Sequence, residues 1–319
     1  MLHLRVISPV GRTPAVQELL LAEQGATHIV VLAGAALQPP GDVVEADLAR
    51  EAADAVLAGL CELGIDHDGG ITLEAIDTAL SDSADKAEED SPGDPTDAVI
   101  WDDLIARTGE ESRLSISYQA FLTIACLLAA IGAITDSPVT VVGAMVLGPE
   151  FGPLAAVAVG LIVRRGDLVR RGAVAIGVGF PLAMVVTGVA TVLFDVTGLL
   201  TTSALDNIEQ VDFIYEVGPF SFIIALLAGA AGMVALISSK SASLVGVFIS
   251  VTTVPAAAFA SVALIEGHFA QAGGSALQLL INAVSIVAAA AVVLLLSRRT
   301  RRGRQDPGHR YRGRRLSSG

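Results

Sequence analysis

Cationic side chains are almost missing from the second half of this sequence. None occurs from Ile116 to Val163, and between Gly172 and Ser297 there is Lys240 alone. Aromatic residues are scarce, 4% of 319, and charged residues reach only 17%, against about a quarter in an ordinary soluble domain. Cysteine is reduced to Cys61 and Cys126, one in a soluble and one in an apolar region, which excludes a disulfide framework. His3, His28, His67, His268 and His309 are scattered, not at ligand spacing. No GxxxxGK[ST] phosphate loop and no GxSxG occurs, so nucleotide-driven and serine-hydrolase chemistry lack support. No enzyme activity and no cofactor is expected. Asp66-His67-Asp68-Gly69-Gly70 comes nearest to a metal loop. It lacks the further acidic ligands of a calcium loop and falls where a helix turns into a strand, so no metal is expected.

What the sequence has instead is apolar surface, 53% of residues with a mean hydropathy of +0.65, and charge that is segregated. Residues 1–115 hold 23 acidic and 6 basic side chains, and residues 116–319 hold 10 and 14. The acidic part reads as a soluble α+β domain over 1–80. Strands are expected at Leu2–Ser8, Thr27–Ala33, Asp42–Leu48 and Gly69–Ile76. Helices are expected at Thr13–Gln24, with Thr13 as cap before Pro14, and at Glu51–Leu63. The order βαββαβ is that of a ferredoxin-like sandwich. Residues 81–98, acidic and poor in large apolar groups, read as a flexible linker. Val99–Arg107 reads as a short amphipathic helix with Trp101 as its packing anchor. Linker and helix together fill 81–115. The opening MLHLRVISPVGR has no basic stretch followed by a long apolar run, so a cleavable signal is not expected.

From Ile116 the chain turns hydrophobic, and about 20 helical residues are needed to cross hydrocarbon. The sequence divides into six spans within 116–297: 116–135, 138–163, 172–194, 219–238, 243–265 and 276–297. The loop 164–171 (RRGDLVRR) and the tail 298–319, with nine arginines, are the basic flanks. The loops opposite carry only acidic charges. Basic flanks stay cytoplasmic, so the expected arrangement is an inner-membrane, multi-pass protein with both termini cytoplasmic. The basic tail reads as a topogenic, headgroup-binding segment, not as a nucleic-acid site.

The hydrophobic block repeats. Leu127–Gly132 resembles Leu226–Gly232, and Ser137…Val141-Val142-Gly143 resembles Ser241…Leu244-Val245-Gly246. Each copy is followed by an interruption, Gly148-Pro149-Glu150-Phe151-Gly152-Pro153 in one and Thr252-Thr253-Val254-Pro255 in the other. The copies are three spans apart, so they face opposite ways, as two inverted three-helix repeats. Many secondary transporters place a site between such repeats, at broken helices. A charge in hydrocarbon costs about 2.5–3.5 kcal/mol on insertion scales, which singles out Glu150. Asp136, in the Ile134-Thr135-Asp136-Ser137-Pro138 turn, is the second candidate, though Asp before Ser-Pro also suits a helix cap. The expected solute or ion pathway is thus Asp136, Ser137, Gly148, Pro149, Glu150, Gly152, Pro153, Thr252, Thr253 and Pro255. Gln278 and Asn282 are expected to bond between helices.

The run GAITDSPVTVVGAMVLGPEFGPL (132–154) resembles the bacterial domain of unknown function 389 family through Gly132, Ser137, Gly143, Ala144, Met145, Pro149 and Pro153. The run at 226–255 resembles its second signature, with Pro255 alone where two prolines are usual. Glu150 stands where the family commonly has leucine. ITLEAIDTALS at 71–81 resembles the family as well. The resemblance implies a polytopic membrane fold and no assigned activity.

Two functions fit these patterns. One is a membrane transporter or channel for a small solute or ion. The other is an oligomeric structural or sensory membrane protein whose N-terminal domain binds a ligand or partner. Small-residue faces suggest a homo-oligomer in the lipid bilayer. Purified protein that moved nothing in liposomes would count against the first.

Overall fold

The computed structural model describes residues 1–76, 78–91, 99–199, 218–238 and 253–304, with side chains as far as Arg298. The chain divides into two compact units, Met1–Asp103 and Leu104–Gly319.

In the first unit, β1 (Leu2–Ser8), β2 (Ala26–Leu37), β3 (Pro40–Leu48) and β4 (Gly70–Ala75) form one sheet in the order β2-β3-β1-β4. Every neighbouring pair is antiparallel. With α1 (Thr13–Ala22) and α2 (Ala53–Glu62) this is a βαββαβ chain with split pairing,. Alternation fixes the register. Leu4 lies opposite Ala46 and Leu73, and Val6 opposite Val44 and Ile71. Leu4, Val6, Val44 and Leu48 are fully buried against Val16 and Leu20 of α1 and Val56 and Leu60 of α2. Each such side chain contributes about 1.5–3 kcal/mol, and a slip of one residue would turn the whole set outward. A short helix α3 (Ile65–Asp68) follows α2, so the Asp66-His67-Asp68 run is helical, and His67 pairs with its neighbour Asp66.

Two expectations for this unit are corrected. Thr13 does not cap α1; Arg12 stands at that position without a side-chain bond. The Thr13 hydroxyl donates instead to Asp42 Oδ2 at 2.7 Å, because Asp42 on β3 offers a charged acceptor. Residues 82–90 are not a linker but a helix, α4 (Asp82–Asp90). Ala84 and Ala87, one turn apart, are buried, the Met1 ammonium pairs with Glu88 at 2.9 Å, and the Ser91 hydroxyl donates to Ala87 O at 2.7 Å. Small alanines suffice where the helix lies on a sheet. Residues 92–98 of the expected linker lie outside the described residues.

Asp42 also accepts the Gly34 N–H at 2.8 Å. That bond, then the Thr13 hydroxyl, holds the Asp42 carboxyl below the usual carboxylate range, against a smaller opposing effect of burial. A carboxyl held low in the folded state stabilises it above the unfolded pKa, and the contribution is lost as pH falls through the folded value. Asp42→Asn is therefore expected to weaken this unit near neutral pH and to flatten its loss of stability in acid. Amide exchange of β1 and β3 in the full chain, followed from about pH 7 to below about pH 4, checks both.

Val99 and Ile100 are buried, Ile100 with Leu2, Ala53 and Leu57, and the Trp101 N–H donates to Asp54. The helix that follows, α5 (Trp101–Glu111), runs one turn further than its sequence suggests.

The second unit is helical: α6 (Ile116–Ile134), α7 (Pro138–Leu147), α8 (Phe151–Val163), α9 (Gly166–Val196), α10 (Pro219–Ile237), α11 (Val254–Ile265) and α12 (Phe269–Arg304). Its interior is built from small residues, among them Ala125, Ala129, Ala130, Ala133, Ala144, Ala175, Ala257 and Ala263. Its outside carries exposed valines, leucines and phenylalanines, such as Val185, Val189 and Leu193 on α9 and Phe220 and Leu227 on α10. Large apolar groups outside and small ones inside suit lipid, where packing rather than water drives helix association.

The six-span expectation is met in part. Four helices, α6, α9, α10 and α12, are each long and apolar enough to cross a membrane. Helices α7 and α8 make a fifth only if taken as one span bent by 51°. Helix α11, 12 residues or about 18 Å long, is too short, and residues 243–252 of the expected fifth span lie outside the described residues. So do Thr252, Lys240 and most of the acidic loop 195–218.

Candidate functional site

The sequence GPEFGP dictates a break. Helix α7 ends at Leu147, and Gly148 turns extended with ψ 122°. Pro149 has no N–H to continue the ladder. A new helix starts at Phe151, with Glu150 at its N-cap position. Pro153 falls in the first turn of α8, where its missing N–H costs nothing. Helix α11 starts the same way, with Thr253 as N-cap and Pro255 in the first turn. The first helical bonds are equivalent: Leu154 N–H to Glu150 O at 3.3 Å and Ala257 N–H to Thr253 O at 3.0 Å.

These two N-cap residues meet. The Thr253 hydroxyl donates to Glu150 Oε1 at 2.7 Å, and both side chains are 0% exposed. Two helix N-termini therefore converge on one carboxylate. Each carries roughly half a positive charge in its unpaired N–H groups, which offsets the cost of burying Glu150. Tyr118 and Cys126 of α6 lie within electrostatic reach of the same carboxylate.

From this point the two helices run to opposite ends of α9. The far part of α8 packs on its start, where a Cβ at Gly160 would lie 2.8 Å from Val169 Cγ2. The far end of α11 reaches Gly188, where an added Cβ would lie 3.8 Å from Ile265. Arg298 of α12 donates to Ile162 O at 2.9 Å, a cation on the carbonyl end of α8. That bond ties the arginine-rich start of the tail to the end of α8 that precedes the Arg164–Arg171 loop.

A cleft of about 410 Å³ opens beside the break. Gly148, Pro149, Phe151 and Gly152 form one wall, Tyr118 and Phe121 of α6 another, and Gly232 and Leu236 of α10 a third; Glu110, Glu111 and Arg113 supply its charge. Gly152 is needed for close approach, because an added Cβ would lie 2.6 Å from Glu111 Cβ.

Of the residues singled out from sequence, Gly148, Pro149, Glu150, Gly152, Pro153, Thr253 and Pro255 gather at or next to this break. Asp136 and Ser137 do not. They form the turn at the other end of α7, a ten-residue helix of about 15 Å. There Asp136 takes a positive φ of 45°, and it is Ser137 that caps α7, its Oγ accepting the Thr140 N–H. Thr252 lies outside the described residues. Glu110, Arg113, Tyr118 and Cys126 were not among the sequence candidates; a tyrosine and a cysteine in an apolar helix read as packing until the fold brings a carboxylate to them. Among the described residues no group of His, Cys, Asp and Glu is arranged to hold a metal.

No solved structure matches this chain. An uncharacterized protein of the archaeon Methanocaldococcus jannaschii is 24% identical over 204 residues, which cover 62% of this chain and 60% of that relative's length. The profile of the family described as Domain of unknown function (DUF389) matches residues 145–288, from the last turn of α7 to the middle of α12. That stretch holds both half-helices, both N-caps and the hydrogen bond between them, and over it the chain is similar to the domain of unknown function 389 family.

Proposed function

We propose that this protein is an inner-membrane transporter or channel for a small solute or ion, and that the breaks at 148–153 and 252–255 line its pathway. The observation that carries this reading is the Thr253–Glu150 hydrogen bond of 2.7 Å. It places the starts of two short helices, running opposite ways, around one buried carboxylate. Opened backbone inside a bilayer is tolerated only where protein or water shelters it, and the cleft beside Gly148–Gly152 supplies such shelter. Contacts among the helices support a pseudo-twofold arrangement of two inverted halves. Helix α8 packs on α9 and α12, as α11 packs on α12 and α9, while α6 pairs with α9 as α10 pairs with α12. In this reading α7–α8 is one broken span and the segment ending in α11 is its counterpart, giving six in all with both termini cytoplasmic.

The test is flux in proteoliposomes across a panel of alkali cations, protons, halides and small neutral solutes. The expected result is movement of at least one of these by the wild type and a loss of about tenfold in Thr253→Val, which removes a bond to a charged group worth about 1.5–3 kcal/mol. No flux with any of the panel, or full flux in Thr253→Val, overturns the reading.

A further inference from the structure

The inward face of α12 takes no part in the site described above. Gln271, Ser275, Gln278 and Asn282 recur at helical spacing along one side, and the last three are at most 4% exposed. On the opposite side Leu277, Leu280 and Val284 are 51%, 61% and 61% exposed. The helix thus turns apolar groups outward and amides and a hydroxyl inward, as a membrane helix does when it lines a polar path. Three buried oxygens on this side, Gln271 Oε1, Ser275 Oγ and Gln278 Oε1, meet no hydrogen-bond partner among the described residues. Such a row is sustained where water or a ligand reaches it.

The row leads to Glu150 and Thr253. Helices α11 and α12 pack as a hairpin around the short Glu266–His268 turn. Counted back from that turn, Thr253 comes level with the turn of α12 that holds Asn282. From the other direction, Leu154 packs on Ile286, and these stand one helical turn beyond Glu150 and Asn282. The cleft approaches from the opposite end, lined by Pro149 and Phe151 on either side of Glu150. Tyr118 on the cleft meets α9 at Ala175 and Gly179, whereas the turn end of α11 meets it at Gly188.

We propose that this ladder is the second half of the pathway: a hydrated, cation-accepting track from the Glu266–His268 turn to the Glu150–Thr253 pair. The inference rests on the pathway reading above and names its solute as a small cation. The unpaired groups are all oxygens and the end point is a carboxylate. An anion on this face would meet no Lys or Arg among the described residues of 253–297.

The experiment introduces single cysteines at Ser275, Gln278 and Asn282, with Leu277, Leu280 and Val284 as lipid-facing controls, into the full chain carrying Cys61→Ser and Cys126→Ala. Reconstituted protein is treated with membrane-impermeant methanethiosulfonates, one bearing a trimethylammonium and one a sulfonate. Ladder positions are expected to label about tenfold faster than the controls, and faster with the cationic reagent, since charge in a narrow path steers by sign. Equal labelling of ladder and controls overturns the track, and preference for the sulfonate overturns the cation assignment. Ser275→Cys exchanges only oxygen for sulfur and keeps the test valid if a larger change disturbs folding. Labelling reads water access rather than flux. Labelling without flux therefore removes the pathway reading and leaves a hydrated cation site, while flux without labelling removes the track alone.

Discussion

Glu150→Gln is expected to cut flux by roughly ten- to a hundredfold while leaving the protein folded. The size follows from what the carboxylate does. It accepts the Thr253 hydroxyl at 2.7 Å and lies at two helix N-termini, so it is both the charge that neutralises them and the acceptor that joins them. Glutamine keeps the shape and one oxygen, so the Thr253 bond survives, weakened from a charged to a neutral acceptor, a change of about 1–2 kcal/mol. What is lost outright is the ability to carry a proton or hold a cation at a buried site. A role in packing alone would show as a lower melting temperature with flux unchanged. A role in transport shows as lost flux with size-exclusion profile and melting temperature retained. Glu150→Asp offers a further check: it restores charge but shortens the reach, so partial recovery of flux points to charge. If Glu150→Gln moves its solute at the wild-type rate, the carboxylate is only a cap on two helix ends.

Gly229→Leu is expected to abolish correct assembly of the second unit. A Cβ at this position would lie 2.6 Å from Ile286 O, 2.7 Å from Ile286 Cα and 3.0 Å from Ile286 C, all backbone atoms of α12. A side chain can rotate away from a newcomer, but a helix backbone cannot. Extra volume in an ordinary core costs about 1–3 kcal/mol. Here α10 and α12 must separate along their shared face, and Ile286 also packs on Leu154 of α8 and Ala225 of α10. The measurement is yield of monodisperse protein in mild detergent, expected to fall to near nothing. Gly143→Leu is the control, because nothing lies within 4 Å of a Cβ there, and it is expected to behave like the wild type. Equal yields from the two would show that α10 and α12 do not approach so closely in the folded protein.

Elements governed by local chemistry were legible in the sequence. The strands of the first unit followed from β-branched alternation, and the break from Gly148, Pro149 and Pro153, because a missing N–H acts on its own neighbours. Helix α4 was not legible: a nonapeptide with five carboxylates and only two alanines at helical spacing looks like a linker until a sheet offers those alanines a surface. Span count was only partly legible, for a related reason: the length of α11 depends on where Pro255 lets a helix begin.

The sequence by itself determined an acidic α+β unit, an apolar block with basic flanks, two proline-marked interruptions and a carboxylate inside one of them. Each depends on residue type and near spacing, which the order of amino acids states directly. Only the tertiary structure decided that Glu150 and Thr253, 103 residues apart, share a hydrogen bond, that Asp136 lies a helix length away from them, and that the amides of α12 face inward. Those are outcomes of packing. Small residues let helices distant in sequence approach within contact, and no pattern along the chain records which pairs do so.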